Sequence, residues 1–270
     1  MTPQQVSKQF SSPAIQNKFK EIIGDKAPEF LVGVQTLINN NELVAKVGTA
    51  KIMNEAMKVA ALGLSLVPGI EEAYLIPYAK KRKDENGRWV DGDVQLQTQI
   101  GYKGLMRLAL NTGEIKNIRA VEIYEGDNPK FDRITGKLTY ESGYDPYSDE
   151  NAKVVGYLAM YTEVATGEQF EEYWSIERME KFAIEHSQTY NGKGATNKYG
   201  KPENGPWTTN FDAMAKKTVI KSLLKFVPKV AMNSKVQKAV QVDEEPRDIT
   251  PEEVTGDIED AGSTTTTSVS

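Results

Sequence analysis

The 270-residue chain has no cysteine, which excludes disulfides, thiolate metal sites and cysteine nucleophiles and fits a reducing compartment. Histidine occurs once, at His186, beside Glu185, Ser187 and Gln188. No nucleophile-elbow motif accompanies it, so it reads as a surface helix residue rather than a catalytic base. No apolar run approaches the ~18 residues of a membrane span, and Met1-Thr2-Pro3-Gln4-Gln5 lacks signal-peptide character. A cytoplasmic protein without a membrane segment is the expectation. No phosphate-binding loop is present either. The nearest stretch, Gly194 to Lys201, has five residues between its glycines and Pro202 where Ser or Thr would hold magnesium, so ATP hydrolysis is not expected.

One further absence is local. Between Asp212 and Asp243 thirty residues pass without an acid, while seven lysines occur: Lys216, Lys217, Lys221, Lys225, Lys229, Lys235 and Lys238. On a helix Lys217, Lys221 and Lys225 stack at i, i+4 and i+8, with Val219, Ile220, Leu223, Leu224 and Val227 opposite. Like charges at this spacing cost a few tenths of a kcal/mol per pair, and no acid stands among residues 213–242 to relieve them. The pattern points to an anion-binding face rather than a solvated one.

The net charge of −5 hides this basic body. From Gln241 onward nine acids stand against Arg247 alone, and without that segment 32 bases face 29 acids. The segment ends A-G-S-T-T-T-T-S-V-S and is too poor in apolar residues to offset its ordering entropy, so a disordered acidic tail is expected. It reads as a solubilising tail, as a lure for a basic partner, or as a competitor for the protein's own anion site.

Residues 72 to 110 are the stretch around which the rest is arranged. Val94, Leu96, Thr98 and Ile100 alternate with Gln95, Gln97 and Gln99, the period of a half-buried strand with an exposed amide row. Across the turn at Asp84-Glu85-Asn86-Gly87, a partner strand places Tyr74, Ile76, Tyr78 and Lys80 on one face. Gly101-Tyr102-Lys103-Gly104 then switches into a helix carrying Arg107, whose N-terminal N–H groups are suited to phosphate.

Elsewhere the periodicity gives helices over roughly 12–24, 28–41 and 49–62, strands over 115–124, 154–164 and 169–174, a short strand near 137–140, and a helix from Ser175 to His186. Residues 187–206 form a long Gly/Asn/Lys loop carrying Lys193, Lys198 and Lys201. The expected class is α+β, with hairpins packed against helices. Residues 1–62 form an N-terminal helical region available for core packing or subunit contacts, 63–240 an α+β core, and 241–270 the tail.

Catalytic chemistry finds few candidates. Glu125, Asp127 and Asp132, and again Asp145, Asp149 and Glu150, are grouped acids that polar turns explain more simply than metal binding. Asp91, Asp93 and Glu114-Ile115-Lys116 permit a metal-dependent nuclease as an alternative, and a structural oligomer that ignores DNA is a second. Binding of a single strand instead absorbs the remaining signals: cations along the phosphates, and aromatic or amide groups at the bases. The residues expected to do this are Lys216, Lys217, Lys221, Lys225, Lys103, Arg107, Lys80, Lys198, Tyr74, Tyr78, Tyr102, Trp207, Gln95, Gln97 and Gln99. No base-reading element is recognisable, so sequence-independent binding is favoured.

The same residues carry a family resemblance. Leu62-Gly63-Leu64-Ser65-Leu66, then Ala73-Tyr74-Leu75-Ile76-Pro77-Tyr78 and Gln97-Thr98-Gln99-Ile100-Gly101-Tyr102-Lys103-Gly104-Leu105, resemble the core of the RecT family of phage recombinases. So does Pro206-Trp207 through Phe211, Met214, Lys217-Thr218-Val219 and Lys221. The likeness covers roughly residues 10 to 235 in order and is nearest to the type found in phages and prophages of Gram-positive bacteria. It implies an ATP-independent protein, without cofactor or bond chemistry, that coats single-stranded DNA made by a partner exonuclease and pairs it through an annealed duplex intermediate. It further implies homo-oligomeric rings or helical filaments, contacts with the host single-strand-binding protein, action in the bacterial host cytoplasm, and a central antiparallel sheet related to that of the lambda beta protein.

Overall fold

The structure, a computed structural model, describes residues 2–141, 143–187, 190–192, 194, 205–225, 227, 230 and 233–244, with their side chains except those of 80–82, 89 and 91. The N-terminal region is more finely divided than its hydrophobic periodicity suggests: α1 (Pro3–Gln9), α2 (Pro13–Ile23), α3 (Ala27–Asn40), α4 (Glu42–Val47) and α5 (Thr49–Leu62). Capping accounts for the two unexpected helices. Thr2 and Gln5 form a reciprocal capping box at α1, and Asn41, which reads as the end of α3, accepts the N–H groups of Leu43 and Val44 to start α4. Phe19, Val34, Ile38, Ile52 and Val59 are fully buried in one core shared with the strands that follow.

That core holds the hairpin of β1 (Ala73–Lys83) and β2 (Trp89–Ile100). The Asp84 carboxylate accepts the N–H groups of Asn86 at 2.9 Å and Arg88 at 2.8 Å, which fixes the turn. Tyr74 lies opposite Gln99, Ile76 opposite Gln97 and Tyr78 opposite Gln95, so tyrosines and amides do share a face. The register shifts between Ala79 and Lys81, next to Lys80. The amide row is not exposed along its whole length, however. Gln99 is buried and donates to the Tyr78 hydroxyl at 3.2 Å. Strict alternation fails at this end because helices close on the strand from elsewhere in the chain. Glu55 of α5 accepts both the Thr98 hydroxyl, at 2.8 Å, and its N–H, at 3.1 Å.

Helix α6 (Tyr102–Leu110) follows, and its two glycines have a packing role. A Cβ on Gly101 would stand 2.1 Å from the Glu71 carbonyl oxygen, and one on Gly104 2.2 Å from that of Glu72. The helix lies backbone to backbone on this connection, and the Gly101 N–H donates to Glu72 O at 2.9 Å. One N–H of the helix start that reads as a phosphate seat, that of Gly101, is therefore taken by the chain itself.

The remaining strands are β3 (Ile115–Tyr124), β4 (Lys130–Asp132), β5 (Lys137–Thr139), β6 (Val154–Glu163) and β7 (Gln169–Ser175). All pair antiparallel, but in three sheets rather than one: β1–β2, β3–β6–β7 and β4–β5. Strand β6 is buried on both faces. Tyr157, Ala159 and Tyr161 join the main core, while Leu158 and Met160 join a second cluster with Ile123 and Leu138. The Ser175 hydroxyl caps α7 (Ile176–His186), as its position suggests. After α8 (Pro206–Thr209) comes α9 (Phe211–Lys225), which buries Ala215, Val219, Ile220, Leu223 and Leu224 and packs on β3, β6, β7 and α6. The last described helix, α10 (Ser234–Glu244), returns to β2, α5 and α6. It continues past Gln241, where the tail is expected to begin, because Val242 is buried. Residues 245–270 of that expected tail lie outside the described residues.

Candidate nucleic-acid interface

The lysine row of α9 forms one wall of a cleft of about 500 Å³. Lys217, Lys221 and Lys225 line it together with Gln99 from β2 and the aromatic side chains of Trp174, Phe182, His186 and Trp207. Phe182 and His186, four apart on α7, stack with ring centroids 4.1 Å apart and an interplanar angle of 16°. Trp174 meets Phe182 edge-on at 5.4 Å, and Trp207 from α8 lies 6.3 Å from the same ring. The Arg178 guanidinium sits 3.8 Å over Trp174. Glu172 ties the walls together, accepting the Trp174 indole N–H at 2.6 Å and the Ser222 hydroxyl of α9 at 3.0 Å. Cations and flat rings lining one cleft are the elements of a single-strand groove.

The lysine row is not a bare cationic face, as the acid-free sequence suggests it to be. Asp243, at the end of α10, pairs with Lys217 and lies 3.3 Å from Lys221, and Glu244 lies 2.9 Å from Lys221. Two acids far along the chain thus balance the two inner lysines, while Lys225 at the outer end is exposed. Sequence reasoning placed these acids in a tail that could compete for the anion site but not in the cleft lining, and it did not single out Trp174, Phe182 or His186 as lining residues. The i, i+4 spacing of Phe182 and His186 was the available signal.

Of the other expected residues, Trp207 is buried and lines the cleft. Lys216 turns to the sheet and pairs with Glu122 of β3 at 2.5 Å. Lys103 pairs with Glu71 at 2.7 Å, a hydrogen bond that raises its pKa, and its ammonium is 5.9 Å from the Tyr102 ring. Arg107 donates to both oxygens of the buried Glu72 at 2.7 and 2.8 Å. Tyr74, Tyr78, Gln95 and Gln97 stay on the hairpin face, where burial and then Glu71 push the Tyr74 phenol up. The side chain of Lys80, and Lys198 altogether, lie outside the described residues.

The grouped acids serve turns. Asp132 accepts the Ile134 N–H at 2.8 Å, Asp145 that of Tyr147 at 3.0 Å, and Asp149 the Tyr144 hydroxyl at 2.7 Å, which with burial pushes that phenol up to about 12. Among the described residues no three His, Asp or Glu side chains converge as a metal-holding group, and no helix is long and apolar enough to cross a membrane.

The RecT family model matches residues 28–256 of the chain. A Bacillus subtilis (strain 168) protein, the uncharacterized YqaK, is 31% identical over 254 residues, which are 93% of this chain and 77% of that protein. Protein RecT of Escherichia coli (strain K12) is 30% identical over 205 residues, 75% of this chain and 66% of its own length.

Proposed function

This chain belongs to the RecT family, and from that premise we propose that it binds single-stranded DNA without regard to sequence and anneals complementary strands in phage recombination. The observation that carries the reading is the cleft that Lys217, Lys221 and Lys225 line together with the Phe182–His186 stack. The lysines neutralise successive phosphates, while His186 and Gln99 meet bases or sugars at the cleft wall. A strand held along its backbone keeps its pairing edges outward. A second strand samples register against it until pairing and stacking stabilise the duplex. No bond is made or broken, and neither ATP nor a metal is required.

Neighbouring subunits extend the groove along the strand as a ring or helical filament. The N-terminal helices, with Ile22 40% and Val32 59% exposed, supply apolar side chains for the joint. An exonuclease would deliver the single strand, and the host single-strand-binding protein would hand it over in the bacterial cytoplasm. The hairpin face of Tyr74, Tyr78, Gln95 and Gln97 would border the groove rather than fill it.

The test is a gel annealing assay with complementary oligonucleotides of unrelated sequences, without ATP and with or without EDTA. Full-length duplex should form in both conditions. Shortened DNA that depends on a divalent ion would identify a nuclease, and no shift at all a DNA-independent oligomer. Lys217→Ala and Lys221→Ala should each weaken binding to every sequence and lower the log–log salt slope by about one unit. Unchanged affinity and slope would remove these lysines from the site.

A further inference from the structure

The carboxylate of Asp243 is held as an anionic ligand would be. Its side chain is 6% exposed, and three donors from two distant elements converge on it. The Ile100 N–H, on the edge of β2 away from β1, donates to Oδ1 at 3.0 Å. Lys217 Nζ donates to the same oxygen, and Lys221 Nζ lies 3.3 Å from Oδ2. A backbone N–H with two ammonium groups is a donor set suited equally to a carboxylate and to the paired oxygens of a phosphodiester.

The acids sit where the helix itself gains nothing from them. Asp243 and Glu244 occupy the last turn of α10, which has no basic residue, and the negative end of a helix dipole disfavours acids there. Their position follows from the lysines of α9, not from the stability of α10. The attachment of that helix is also modest. It has 11 residues, below the ~12–15 at which isolated helices become even marginally stable, and its buried side chains are the small Val236, Ala239 and Val242. The lysine row then continues outward to the exposed Lys225, so the occupied position is the inner end of a longer cationic track.

We propose that Ile100 N–H, Lys217 and Lys221 form a phosphodiester site that Asp243, with Glu244, fills in the DNA-free protein. The last turn of α10 is an intramolecular competitor that must lift before a strand reaches the inner cleft. This rests on the single-strand binding proposed above and specifies how that site is regulated. If the site is closed nine-tenths of the time, apparent affinity is about tenfold weaker than that of the open site.

The experiment compares the full chain with the double variant Asp243→Asn/Glu244→Gln, using fluorescence anisotropy of a labelled thymidine oligonucleotide. A second double variant, Glu150→Gln/Glu168→Gln, removes the same charge from exposed positions away from the cleft. The first should bind about tenfold tighter than wild type and clearly tighter than the second. Adding Lys217→Ala and Lys221→Ala to it should erase the gain. Binding no tighter than the charge control overturns the inference while leaving single-strand binding intact. A wild type and a variant that both fail to bind overturn the annealing reading, and this inference with it. The unmodified protein gives an independent readout: amide hydrogen exchange at residues 240–244 should accelerate when the oligonucleotide is added, and increased protection there would refute the displacement.

Discussion

Two groups of paired charges border the glutamine strand, and in sequence their cations look alike. Lys103 and Arg107 meet Glu71 and Glu72, and Lys217 and Lys221 meet Asp243 and Glu244. Their acids differ in what holds them. Glu72 lies within the core chain, where it accepts the Ser65 N–H at 2.8 Å and where its carbonyl presses on Gly104. Asp243 is as deeply buried but rides on the last turn of a short helix. The first pair is part of the frame, and the second is a contact a competing anion can replace. A lysine count therefore does not measure available positive charge. That depends on whether the counter-charge can leave.

The frame should break hardest at Gly104. Gly104→Ala places a methyl against the Glu72 carbonyl and should cost about 3 kcal/mol, lowering the thermal midpoint by roughly 10 °C. Glu72→Gln comes next. It keeps the shape but removes the charge facing the half-exposed Arg107, for about 2 kcal/mol by denaturant titration, with oligonucleotide affinity little changed. A large gain in affinity from Glu72→Gln would erase the distinction between the two groups. The smallest effect belongs to Lys103→Ala. Its exposed pair should contribute nothing measurable to the melting temperature, and binding should stay closer to wild type than in Lys221→Ala.

Local chemistry was legible in much of the sequence, though the caps at Thr2 and Asn41 that start α1 and α4 were overlooked. The Asp84 turn, the Ser175 cap, the bounds of β3 and the amphipathic α9 all depend on residues a few positions apart. The candidate site was half legible for the same reason. Its lysines lie in one row and declare themselves, whereas Trp174 and the Phe182–His186 stack reach them only through the packing of α7 and α9 about the three-stranded sheet. Asp243 was hardest to place. Its composition assigns it to a tail, and only the tertiary return of α10 brings it to Lys217, 26 residues back. Gln99 failed in the opposite sense, since alternation marks it as exposed and helices from elsewhere in the chain close on its end of β2.

The outer edge of β2 presents backbone N–H groups at Thr98 and Ile100, with no strand beside them among the described residues, and carboxylates close both. Bare strand edges are templates for pairing with other chains, and so for aggregation. Glu55 closes one from within the folded core, whereas Asp243 closes the other only while α10 stays docked. If Asp243 blocks the groove as proposed, the same carboxylate also shields the Ile100 N–H from a neighbouring chain's strand. Solubility and access to DNA pull it in opposite directions.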